Sequence, residues 1–135
     1  MTIVVGYVPT NEGRAALRRA GDESVRSGSD VVVVRTVRPD GSTYDPESVA
    51  TFERELGEVV RDVEAAGHHV STREVTASGD AADDLLEIAG DVEADLIVIG
   101  LRRRTPVGKL ILGSNAQRIL LDAGCPVLAV KAPQP

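Results

Sequence analysis

Gly100, Gly113 and Ser114 bracket a segment whose charge is all positive: Arg102, Arg103, Arg104 and Lys109 lie between the two glycines. Residues of these types in this order suit the binding of an anion. Ala116, Ile119, Leu120 and Ala123 recur at three- and four-residue spacing, which predicts an amphipathic helix opening at Gly113, with Ser114 placed to cap it. The first backbone N–H groups of such a helix, at Gly113, Ser114 and Asn115, have no partner within it and point into the preceding loop. Fixed dipoles and mobile cations then converge on one phosphate-sized spot. An arbitrary arginine triplet on an acidic chain reads as a solvated loop, but a position between a strand-ending glycine and a helix start favours the anion. Arg103 is the best placed of the three, and Thr105, Pro106 and Gly108 fit turn chemistry.

Other chemistries fail on spacing. A P-loop through Val107, Gly108, Lys109 and Leu110 would need glycine where Arg103 stands and a hydroxyl where Leu110 stands. A dinucleotide fingerprint is absent, since Gly6 lacks the second and third glycines. His68 and His69 are adjacent, so on a strand they face opposite ways, and no second cluster of ligands lies near them in sequence. Cys125 precedes Pro126 and an apolar run, the setting of a small buried hydrophobe without a histidine to activate it. Asp80, Asp83, Asp84, Glu87 and Asp91 read as the solvated face of a helix. A phosphoryl-transfer site would need metal ligands and a group to orient water, and the cationic loop offers no carboxylate. The expectation is therefore a binding protein, with any phosphoryl transfer at most slow and incidental, and with no metal required.

The elements that must position this loop follow from periodicity. Apolar, β-branched runs at 3–8, 31–37, 70–75, 96–99 and 127–130 read as five parallel strands covered by helices on both faces. Between them, Asn11 can cap a first helix that stops at Gly28, and Asp45 with Pro46 starts a second that carries Val49, Phe52, Leu56, Val59, Val60 and Val63 inward before Gly67. A third runs from about Asp80 with Leu85, Leu86, Ile88, Ala89 and Val92 inward, and the fourth follows Gly113. Strand–helix alternation of this kind predicts right-handed crossovers and a doubly wound, Rossmann-like α/β sheet, which binds ligands where the winding reverses. The connection over 38–44 reads as a surface loop.

With 135 residues the chain suits one domain over 1–135, large enough to bury a core without disulfide or metal. A net charge of −6 argues against general affinity for nucleic acid or anionic membrane. The single cysteine and the strand-like opening, in place of a leader, predict a cytoplasmic protein. No apolar run approaches the roughly 18 residues of a membrane span.

The chain resembles the universal stress protein family, whose nucleotide-binding members carry G-x-x-G, nine residues, then G and S or T. Gly100, Gly113 and Ser114 match that frame, and the VVG opening, the DLIVIG strand and the CPVLAVK ending extend the resemblance over the whole chain. The resemblance implies strand order 3-2-1-4-5, ATP or AMP held between the ends of the first and fourth strands, and homodimers joined through the last strand. Two positions depart from the family pattern. Arg103 replaces the second glycine, offering a guanidinium to a phosphate in place of a bare backbone. Val8 falls where the family places an acid that contacts the nucleoside, and Asn11 is the nearest polar residue. The alternative is a dimeric interaction module of the same family that binds no nucleotide.

Overall fold

The computed structural model describes residues 1–37, 46–76, 81–101 and 113–132. Five strands, β1 (Thr2–Tyr7), β2 (Asp30–Val37), β3 (Val70–Thr76), β4 (Leu96–Leu101) and β5 (Val127–Lys131), alternate with four helices, α1 (Asn11–Ser27), α2 (Pro46–Ala65), α3 (Ala81–Asp91) and α4 (Ser114–Asp122). All strands are parallel, in the order β3-β2-β1-β4-β5. The order reverses between β1 and β4, the switch point of a doubly wound sheet.

Side-chain alternation sorts the core into two layers. Ile3, Val5 and Tyr7 pack with Val31, Val33 and Val98 against Leu17 and Ala20 of α1 and Phe52, Val59 and Val63 of α2. Val4, Val32, Val34, Ile97 and Ile99 turn the other way, onto Leu85, Ile88 and Ala89 of α3 and Ile119 of α4. β1 and β4 are buried through their middles because both neighbours and both helix layers cover them. β3 departs from the expected double coverage: Ser71, Thr72, Arg73 and Glu74 are exposed, since an edge strand at the end of the order lacks helix on part of each face.

Two helix starts also differ from expectation. Thr10, in an extended conformation, caps α1, and its hydroxyl accepts from the Gly13 N–H at 3.1 Å. Asn11 is instead the first helical residue, its side chain accepting from the Arg14 guanidinium. At α4 the cap position belongs to Gly113, with no side-chain capping bond, and Ser114 is the first residue inside the helix. Leu120, expected inward, is 37% exposed beside Leu121 at 82%, because the short α4 seats chiefly through Ile119. The expected helix starts at Asp45 and Asp80 and the loop at 38–44 lie outside the described residues.

Candidate functional site

The β1–β4 ladder runs through Ile3↔Leu96, Val4↔Ile97 and Val5↔Val98 and goes no further. β1 nevertheless continues beside β2 to Tyr7↔Arg35, and β4 beside β5 to Leu101↔Lys131. The two central strands therefore part beyond Val5 and Val98, opening a crevice at their carboxyl ends. The first turn of α1 enters beside it. A Cβ built on Gly100 would lie 2.5 Å from the Glu12 carbonyl oxygen, and one on Gly13 would lie 1.8 Å from the Val8 carbonyl oxygen. Only glycine permits either approach.

On the α3/α4 side of the sheet the crevice widens into an open cleft of about 140 Å³ among the described residues. Gly6 and Val8 from the end of β1, Val34 and Thr36 from β2, and Ile99 and Gly100 from β4 form its floor. Leu85 of α3 and Asn115, Ala116 and Ile119 of α4 form its walls. The Arg118 guanidinium meets both Asp83 and Asp122, which ties α4 to α3 beside the cleft. Apart from Tyr7, no described lining residue has a titratable side chain. The α4 end is nonetheless electropositive, because a helix start carries a partial positive charge and its cap residue, Gly113, has no side chain to accept from it.

Of the residues singled out from the sequence, Gly100 and Asn115 line this cleft, and Gly113 and Ser114 directly precede Asn115 at the start of α4. Arg103, with Arg102, Arg104 and Lys109, lies outside the described residues. Gly100 has a structural reason independent of any ligand, the seat it gives to Glu12. Sequence reasoning missed Val34, Thr36, Val75 and Leu85; each belongs to an apolar pattern that signals core, and only the end of a strand or the first turns of a helix turns such a position into lining.

The other candidates carry no site. His68 Nδ1 lies 3.8 Å from Asp30 Oδ1, and the same carboxylate accepts from the His69 backbone N–H at 3.0 Å, a brace between β2 and β3. No group of metal-ligating side chains occurs among the described residues. The Cys125 thiol is pushed up by burial and, less, by Asp95, so it is a poor nucleophile. Among the described residues no helix is long and apolar enough to cross a membrane.

The profile of the Universal stress protein family matches residues 1–131. A universal stress protein of Mycolicibacterium smegmatis is 42% identical over 96% of both chains. A solved universal stress protein in complex with cAMP is 27% identical, covers 98% of both chains and superposes with a TM-score of 0.70. That of Archaeoglobus fulgidus in complex with dAMP is 26% identical over 97% of this chain and 98% of its own, with a TM-score of 0.67. The sheet order, the crevice at the switch point and these likenesses agree: the chain belongs to the universal stress protein family.

Proposed function

We propose that this protein binds an adenine nucleotide, ATP or AMP, in the cleft between the ends of β1 and β4, and acts in the stress response by that binding rather than by turnover. The observation that carries the reading is the cleft itself, which joins a largely apolar floor to a helix start whose cap residue is a glycine. The phosphates meet the Gly113, Ser114 and Asn115 N–H groups, and Arg103 adds its guanidinium. The base lies over Val34 and Thr36. Relatives solved with cAMP and dAMP support the ligand class. The second half of the proposal is a cytoplasmic homodimer joined through β5, supported by that strand's place at the sheet edge.

The test is calorimetric titration of nucleotide-free protein with ATP and AMP, alongside Gly113→Val. Gly113 has an extended backbone, φ −69° and ψ 165°, so the substitution adds bulk where a phosphate approaches without straining the chain. Binding by the native chain and its loss in the variant are expected. Equal affinity in the variant would overturn the phosphate placement, and no binding by the native chain would favour the nucleotide-free interaction module.

A further inference from the structure

Charge is unevenly spread along this acidic chain. Over 96–135 the sequence holds Asp122 as its one acid, against Arg102, Arg103, Arg104, Lys109, Arg118 and Lys131. Asp122 lies at the far end of α4 from Gly113 and is engaged by Arg118. Lys131 closes β5, in register with Leu101 and one position beyond Gly100↔Val130. Val127 and Ala129 pack into the layer under α3 and α4, and Leu128 and Val130 into the other. Strand alternation therefore puts Lys131 on the cleft side of the sheet. Its height agrees. α4 has nine residues and β5 five, joined by a short turn at the end away from the cleft. At about 1.5 Å per helical residue and about 3.3 Å per strand residue, both span about 13 Å, so Lys131 stands level with the start of α4. The residue is exposed and meets no carboxylate among the described residues.

A helix start and a lysine at one level, with no acid over 96–121 to offset them, make a positive spot that an anion relieves. Lys131 does not line the described cleft. It stands on β5, one strand beyond Gly100 of β4, about 4.8 Å further along the sheet. A nucleotide with its base at β2 and its first phosphate at the α4 start extends toward that strand only by adding phosphates. We infer that Lys131 binds the outer phosphates of a nucleoside triphosphate and so makes the site select ATP over AMP. The inference rests on the nucleotide reading above and chooses between its two ligands. An ammonium on a flexible four-carbon stem suits this role, since it meets a phosphate as a point charge and needs no fixed geometry. With AMP bound, the same ammonium stays in water and contributes nothing.

Equilibrium titration of the full chain with ATP, AMP and adenosine reads that selection as a ratio. The native chain is expected to prefer ATP to AMP. Lys131→Gln is expected to weaken ATP by about tenfold or more, the worth of one charge-assisted hydrogen bond, and to change AMP and adenosine by less than about twofold. Lys131→Arg keeps the charge and should restore most of the ratio, and added salt should narrow it in the native chain. Thermal unfolding confirms that both variants, altered at an exposed strand end, are folded. Equal native affinities for ATP and AMP, or an ATP-to-AMP ratio that Lys131→Gln leaves unchanged, overturn the inference while the nucleotide reading stands. If no nucleotide binds the native chain, that reading fails and this inference fails with it.

Discussion

A Cβ on Gly100 would lie 2.5 Å from the carbonyl oxygen of Glu12 and 2.7 Å from its carbonyl carbon. Backbone stands in the way, not the tip of a flexible side chain, so α1 must move if Gly100 gains even a methyl group. α1 packs on both β1 and β4, and the crevice opens beside its first turn. Gly100→Ala is therefore expected to lower stability by about 1–3 kcal/mol, the usual cost of overpacking. Urea unfolding checks this through a fall in the midpoint at constant slope. An unchanged midpoint would mean that the corner relaxes freely.

Tyr7 gives a prediction in the opposite direction. The residue is 5% exposed, its ring lies 4.4 Å from that of Phe52, and its hydroxyl has no hydrogen-bond partner of acceptable geometry among the described residues. Tyr7→Phe keeps the ring contact and removes a desolvated polar group, so stability should stay within about 1 kcal/mol of wild type or rise. A larger loss would reveal a partner for the hydroxyl.

The same phenol makes stability depend on alkali. Burial raises its pKa above the ordinary tyrosine range, and the nearby Arg14 guanidinium only partly offsets this. The folded state thus holds the proton more tightly than the unfolded state. The contribution is complete below the unfolded value of about 10 and is lost as pH rises from there through the higher folded value. Unfolding midpoints at pH 9 and pH 11 should fall further for wild type than for Tyr7→Phe. Equal falls would exonerate this phenol.

If Arg103 meets phosphate, Arg103→Ala should weaken triphosphate binding by about 1.5–3 kcal/mol while leaving adenosine nearly unaffected, and added salt should narrow the difference. Paired titrations at low and high salt measure both. An unaltered triphosphate-to-nucleoside ratio would remove Arg103 from the site.

At the sheet edge, β5 pairs with β4 alone among the described residues. Its Leu128 and Val130 are half-buried against the layer under α1, and Leu121 of the preceding helix is 82% exposed. An unguarded apolar edge invites pairing, and a two-fold dimer closes it. Wild type is expected to be dimeric at tens of micromolar by light scattering. Val130→Lys, which sets like charges against each other across the axis, should shift it toward monomer. A monomeric wild type would defeat the dimer.

The amino-acid sequence determined the elements and their class. β-branched runs alternating with 3.6-residue patterns admit few folds other than a parallel sheet covered by helices, and Gly28, with φ 73°, stops α1 where a left-handed residue is needed. Strand order came from family likeness rather than from periodicity, because local patterns say which segments are strands but not which are neighbours. Tertiary structure alone decided the rest. Ser71 to Glu74 are exposed because β3 is an edge; Thr10 rather than Asn11 caps α1 because backbone geometry there brings its hydroxyl to Gly13. The cleft was half legible: Gly100 and Gly113 announced themselves by type and spacing. Val34, Val75 and Leu85 did not, since an apolar side chain looks the same in sequence whether it faces core or ligand. Only the parting of β1 and β4 beyond Val5 and Val98 makes that distinction.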